Sequence, residues 1–178
     1  KDVTITGWVR SLRQSKTFAF MEVNDGTFFK NLQVVMSEDA LSDYKELVKT
    51  GVGASVKATG TLVVTPDMPQ PFELHATAVE VVGASGGDYP LQKKRHTLEY
   101  LRTIAHLRPR ANLFQCAFRV RSVAAQAIHR FFHDKGYLYV HTPLITGSDC
   151  EGAGEMFRVT TLDPDALPLR EGGKVDYS

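Results

Sequence analysis

The chain is poor in cysteine: of its 178 residues only Cys116 and Cys150 carry thiols, and neither belongs to a C-x-x-C pair. That excludes a zinc site built on paired thiolates, and the six histidines are scattered rather than clustered. No metal ligands are therefore assigned. The opening Lys1-Asp2-Val3-Thr4 is strand-like and carries no apolar signal segment. Two thiols in such a context are expected to be reduced, in a cytoplasmic protein, rather than joined as a disulfide. Long hydrophobic runs are absent too, none approaching the roughly 18 residues of a membrane span, so no membrane partner is expected. A G-x-x-x-x-G-K phosphate loop is missing. Low-complexity tracts and internal repeats are also absent. What is present is the balance of an ordinary globular protein, 43% hydrophobic and 23% charged.

Net charge is only +1, but it is unevenly spread. Residues 91–130 hold nine basic side chains against Glu99 alone, whereas residues 1–90 hold 8 bases and 11 acids and residues 131–178 hold 4 and 8. A basic middle between acidic ends suits contact with a polyanion. On charge alone, a solvated linker followed by the polar face of a helix fits equally well.

The first 83 residues carry strand patterns. Val3, Ile5 and Val9 alternate with polar neighbours, Phe18–Val23 forms a second run, and Asn31–Met36 a third. Asp25-Gly26 supplies the positive-φ chemistry of a tight turn. Ser37 then predicts a helix cap, with Ala40, Leu41, Tyr44, Leu47 and Val48 on one face and Gly51 as the stop. Ala54–Val64 and Phe72–Val82 complete the set, separated by a loop over Pro66–Pro71. Three strands, a helix and two strands are the element order of an OB-fold, a five-stranded barrel that often binds oligonucleotides.

Gly83–Pro90 is linker-like, and Gln92–Arg110 is basic and partly helical until Pro109. Asn112 is expected to cap a long helix in which Leu113, Ala117, Val120, Ala124, Ile128 and Phe131 recur at helical spacing, closed by Gly136. Phe114, Phe118 and Phe132 widen its apolar surface, so it needs partners on more than one side. A further part of its own fold or a second subunit would each serve. Tyr137–Val140 reads as a short strand, stopped near Pro143.

A barrel that reads single-stranded RNA needs exposed rings and polar edges. Trp8, Phe18, Phe20, Phe28 and Phe29 supply rings; Arg10, Arg13, Lys16 and Gln33 supply polar contacts near them. The net acidity of this region argues against broad phosphate binding and favours reading a few bases by stacking and hydrogen bonds.

The segment from Asn112 to Thr161, ending in Thr146-Gly-Ser-Asp-Cys-Glu-Gly-Ala-Gly-Glu-Met-Phe157, resembles the first signature motif of class II aminoacyl-tRNA synthetases. The wording SDCEGAGEMF is most similar to the asparaginyl members. Gly7-Trp-Val-Arg-Ser-Leu-Arg13, Phe18-Ala-Phe20 and Asn31-Leu-Gln-Val-Val35 resemble the anticodon-binding barrel of the aspartyl, asparaginyl and lysyl enzymes. By that resemblance Phe20 stacks on the central anticodon uracil, Gln33 hydrogen-bonds a base, and Arg13 and Glu73 approach the anticodon. The run from Pro90 to Arg110 resembles the family's hinge, with Lys93, Lys94 and Arg95 on the tRNA backbone. The helix, strand and proline would build a two-fold interface containing Phe131, Phe132 and Pro143, and Glu151 would pair with the substrate α-ammonium.

The resemblance implies an α+β chain: an OB-fold anticodon-binding domain over 1–83, a basic hinge over 84–111, and the start of a class II catalytic domain, whose complete sheet is antiparallel, over 112–178. The implied activity is ATP-dependent attachment of asparagine to tRNA through asparaginyl-AMP, with ATP and Mg²⁺ used by a homodimeric parent enzyme. The partner is asparagine-specific tRNA, not DNA. The arginine-centred second motif and glycine-rich third motif that handle ATP do not occur before Ser178. The chain is therefore expected to be the front portion of a longer enzyme, with no catalytic residues of its own and no cofactor bound. An aspartyl-tRNA synthetase portion and a non-catalytic RNA-binding module are the alternatives.

Overall fold

The computed structural model describes residues 1–148, 152, 157 and 159–177. The chain forms two compact units, Lys1–Lys135 and Gly136–Ser178. In the first, five strands close into a barrel: β1 (Asp2–Ser15), β2 (Phe18–Asn24), β3 (Leu32–Ser37), β4 (Ser55–Val64) and β5 (Phe72–Gly83), in the order β1-β2-β3-β5-β4. All neighbours are antiparallel except β3 and β5, which run parallel. This is the OB-fold expected from the element order.

The core is the inward row of each strand. Ala19, Met21 and Val23 of β2, Val34 and Met36 of β3, Val56 and Ala58 of β4, and Leu74, Ala76 and Val79 of β5 are buried together. Leu41, Tyr44 and Leu47 close one end of the barrel. Alternation therefore sets β2 cleanly: Phe18, Phe20 and Glu22 face outward because their neighbours fill the interior.

β1 runs further than its first alternating stretch, and its phase changes. Val9 pairs with Val23, but Ser11 pairs with Glu22, leaving Arg10 as an extra residue. Such a bulge reverses which face later residues occupy. Val3, Ile5 and Val9 pack on the core side, and after Arg10 it is Leu12 that does so. Ser11 and Arg13 are thereby delivered to the outer face.

Three local expectations change. The helix after Ser37 is a single turn, α1 (Tyr44–Leu47). Ser37 ends β3, and its carbonyl accepts from Ala40 and Leu41 while its Oγ accepts from the Asp39 N–H. Turn hydrogen bonding thus competes with the helix, and only the apolar side of the segment is held by the core. In the hinge, α2 (Leu98–Thr103) is capped by Thr97, whose hydroxyl accepts from Tyr100 N–H, and Pro109 sits in a 3-10 turn, Arg108–Arg110. The long helix, α3 (Asn112–Asp134), has Ala111 rather than Asn112 at its cap position, with no side-chain cap. It does end as expected: Gly136 takes a left-handed φ of 85°, which a side chain would resist.

In the second unit, residues 137–140 are not a strand. Tyr137, Leu138, Tyr139 and Val140 are exposed, and within the described residues of this unit no second strand is present to form the ladder that a strand requires. Among the described residues of this unit, a turn spans residues 168–176. Leu169 bridges Val175, and the Arg170 guanidinium lies 2.6 Å from Asp176. Among the described residues, no helix is long and apolar enough to cross a membrane.

Candidate nucleic-acid interface

The outer face of β1, β2, β3 and β5 carries two adjacent rungs of side chains. One rung runs Ser11, Glu22, Gln33, Glu73 and the next runs Arg13, Phe20, Val35, His75, each residue paired with its neighbour across the sheet. The strand spacing of about 4.8 Å makes each rung roughly 14 Å long. Arg13, Phe20, Gln33 and Glu73, separated by up to 60 positions in sequence, thus meet on one surface. The bulge at Arg10 is what brings Arg13 there. Phe20 is half-buried with its side chain on the outer face, and Arg13 is exposed.

Hydrogen bonds order the first rung. Ser11 Oγ donates to Glu22 at 2.6 Å, and Asn31 Nδ2 donates to the same carboxylate oxygen at 3.4 Å. Glu73 is 9% exposed and its Oε1 accepts from Gln33 Nε2 at 2.9 Å and Gln70 Nε2 at 2.7 Å. Its other oxygen lies 3.7 Å from His75 Nε2. An ionised carboxylate only accepts, so Gln33 gives it the amide nitrogen and keeps the amide oxygen as an acceptor for another donor. A fixed acceptor beside an accessible ring can hold a base by its edge and its face at once.

Beside this surface a groove of about 1000 Å³ runs between the barrel and the hinge, lined by Ser11, Glu22 and Asn31 on one side and Lys93, Lys94 and Arg95 on the other. All three hinge cations are exposed. Backbone phosphates of a strand lying across the rungs would meet positive charge here, where the barrel itself is acidic.

The remaining expected site residues fall elsewhere. Phe18, Phe28 and Phe29 are exposed rings, and Lys16 is exposed in the turn after β1. Phe131 and Phe132 pack edge to face at 5.4 Å on α3, and both keep large exposed areas. Pro143 is exposed in the second unit. Glu151 lies outside the described residues, as does Cys150; Cys116 is a free, exposed thiol. No described His, Cys, Asp or Glu side chains form a cluster of three suited to a metal ion.

Sequence reasoning missed a second cluster, at the junction of barrel, hinge and α3. Arg110 lies over the Trp8 ring at 4.3 Å and donates to the Tyr89 hydroxyl at 3.1 Å. Arg119 of α3 stands over Phe29 at 5.0 Å and donates to the carbonyl of Gly26. Gln115 donates to the carbonyl of Phe28 at 3.4 Å. The turn after β2 is built to receive them. Asn24 Nδ2 donates to the Phe28 carbonyl and to Asn31 Oδ1, both at 3.1 Å, and Asp25 accepts from the backbone and hydroxyl of Thr27. Those Thr27 bonds hold the Asp25 carboxyl below its ordinary pKa. The only advance signal was the high density of arginine between residues 91 and 130.

Comparison with known proteins matches residues 3–82 to the OB-fold nucleic acid binding domain of the tRNA anticodon type. Residues 97–169 match tRNA synthetases class II (D, K and N). The asparagine–tRNA ligase of Clostridium perfringens is 62% identical over 178 residues, all of this chain and 38% of that protein. That of Desulfitobacterium hafniense is 61% identical over the same share of each. The chain thus spans about 38% of the length of these relatives. Among solved structures, asparaginyl-tRNA synthetase from Pyrococcus horikoshii complexed with asparaginyl-adenylate aligns with a TM-score of 0.79 at 21% identity, covering 90% of this chain and 37% of that one. The asparaginyl-tRNA synthetase of Entamoeba histolytica aligns with a TM-score of 0.70 at 22% identity, covering 84% and 36%. At these identities the likeness is one of fold.

Proposed function

We propose, for a chain that belongs to the tRNA synthetases class II (D, K and N), that it forms the anticodon-reading part of a cytoplasmic asparagine–tRNA ligase. The observation that carries this reading is the meeting of Arg13, Phe20, Gln33 and Glu73 on two neighbouring rungs of one barrel face. Phe20 stacks on a base. Gln33, its amide turned by Glu73, accepts from the edge of a base, and Arg13 bonds the adjoining nucleotide. Lys93, Lys94 and Arg95 hold the backbone in the hinge groove. The division into 1–83, 84–111 and 112–178 follows from these roles.

The parent enzyme attaches asparagine to its tRNA through asparaginyl-AMP, at the expense of ATP and with Mg²⁺. Among the described residues no three His, Cys, Asp or Glu side chains come together as a donor set for a metal ion. Glu151 pairs with the asparagine ammonium. The exposed rings Phe131 and Phe132, with Pro143, form part of a two-fold interface in the homodimer. Both the high identity to asparagine–tRNA ligases over the whole chain and the SDCEGAGEMF wording favour asparagine over aspartate.

The test is binding of an anticodon stem-loop RNA that carries the central uracil against one with cytosine in its place. The chain is expected to prefer the first. Equal affinity for both would reject the reading.

A further inference from the structure

The arginine cluster at the junction has no role in base reading, yet it is costly to assemble. Trp8, Arg10, Arg110 and Arg119 wall a cavity of about 440 Å³ whose described lining contains no aspartate or glutamate. His106 and Gln115 complete its polar rim. Arg10 is half-buried, within electrostatic reach of Tyr89, Arg110 and Glu22. Burial pushes its pKa down, Tyr89 and Glu22 offset this in part, and the neighbouring positive charge of Arg110 lowers it further. Arg119 Nε is buried with no partner among the described residues. The guanidiniums of Arg110 and Arg119 are held in place, by the Trp8 ring and one hydrogen bond to Tyr89 in one case and by the Phe29 ring and one hydrogen bond to Gly26 in the other.

Glu22 and Asp25 act on Arg10 and Arg119 from outside this lining, so within the cavity the cations face one another, repel and forfeit hydration. The same arrangement, with aromatic walls holding the guanidiniums rigid, suits a compact anion carrying several acceptor oxygens. Arginine's planar fork matches phosphate in that role. The cavity shares Arg10 and Asn31 with the hinge groove. A chain of phosphates following that groove would arrive here next.

We propose that the cavity between Trp8, Arg10, Arg110 and Arg119 binds a backbone phosphate of the RNA, as a sequence-blind anchor separate from the base-reading face. This rests on the RNA-binding reading given above. Each Arg donor lost removes a charge contact, so binding falls by a similar factor for every anticodon and the dependence on salt weakens.

Trp8 is the chain's only tryptophan, so its fluorescence reports the cavity directly. The experiment titrates the 178-residue chain with the uracil stem-loop, the cytosine stem-loop and inorganic phosphate, following Trp8 emission and affinity across a salt series. Arg10→Gln is the informative variant because no described hydrogen bond or ring contact depends on its guanidinium, and Arg110→Lys is a second. Lys57→Gln, an exposed residue that does not line the cavity, removes the same charge as a control. The expected result is that RNA alters Trp8 emission and that Arg10→Gln and Arg110→Lys weaken both stem-loops alike. The slope of log affinity against log salt falls by about one in Arg10→Gln and not in Lys57→Gln. An unchanged slope in Arg10→Gln while the parent chain binds RNA overturns the anchor and leaves the base-reading role intact. Inorganic phosphate that changes Trp8 emission where RNA does not overturns it as well, by assigning the cavity to a free ion. Failure of the parent chain to bind either RNA removes the functional reading and the anchor with it.

Discussion

Glu73 sits under Gln33, and its removal separates a positioning role from a direct contact with RNA. Its Oε1 takes hydrogen bonds from Gln33 at 2.9 Å and Gln70 at 2.7 Å, and the residue is 9% exposed. A hydrogen bond to a charged group contributes about 1.5–3 kcal/mol, but both amides are partly exposed and regain water when the carboxylate goes. Glu73→Ala should therefore cost about 2–3 kcal/mol of folding stability, read from urea unfolding. The freed Gln33 amide no longer presents its oxygen in one place. RNA affinity should then fall by the worth of one neutral hydrogen bond, about 0.5–1.5 kcal/mol or roughly 2- to 12-fold. Glu73→Gln keeps one oxygen for both amides and should lie between the parent and the alanine variant in both measurements. The decisive comparison is a double-mutant cycle by fluorescence anisotropy with the uracil stem-loop. In a Gln33→Ala background Glu73→Ala should cost almost nothing further in affinity. An equal loss in both backgrounds would refute the positioning argument, since Glu73 would then be touching RNA by its own route.

Other consequences follow from the same geometry. A Cβ at Gly60 would lie 2.0 Å from the carbonyl oxygen of His75, so Gly60→Ala must force β4 and β5 apart and destabilise the barrel by at least about 1–3 kcal/mol, measurable by thermal or urea unfolding; a neutral effect would contradict the strand pairing described. Asp25, whose carboxyl is held below its ordinary value by hydrogen bonds from Thr27, contributes stability that is fully present above its unfolded pKa and lost as pH falls through the lower folded value. NMR titration should place its midpoint below that of an ordinary aspartate, and Thr27→Val should move it upward; a midpoint unmoved by that substitution would contradict the assignment. Arg119→Gln removes both the contact with Phe29 and the bond to Gly26, so amide exchange in the turn over residues 24–31 should quicken while the β1 amides stay protected. Unchanged exchange in that turn would show that α3 does not hold it.

Much of the barrel was legible because its signals are local. Strict alternation in Phe18–Asn24 and the Asp25-Gly26 pair each specify their own geometry, and Gly26 takes a φ of 85° as that turn requires. The bulge at Arg10 was not legible. Alternation continued from Val3, Ile5 and Val9 would have turned Ser11 and Arg13 inward, and only pairing with β2 reverses them. The helix after Ser37 failed for a related reason. Its apolar spacing is real, but the core needs only Leu41, Tyr44 and Leu47 to close the barrel, and turn hydrogen bonds satisfy the rest. Motif wording alone points to Phe20 and Gln33 as candidates, whereas Glu22, Gln70 and His75 become visible beside them only when cross-strand partners are known. The arginine cavity depends on contacts about 90 residues apart, between α3 and the turn after β2, which no sequence window contains. Residues 137–140 carry strand-forming side chains, yet none of them lies in a described strand, because alternation alone does not supply the second strand a ladder needs.

The central claim is that the outer barrel face reads RNA bases through the Phe20 ring. The most direct measurement is the affinity of Phe20→Ala for the uracil anticodon stem-loop, made on protein shown by circular dichroism and thermal unfolding to retain the barrel. Loss of one stacked base should cost about 1–3 kcal/mol, roughly 5- to 150-fold in affinity. A folded Phe20→Ala chain that binds the stem-loop as tightly as the parent would contradict the account.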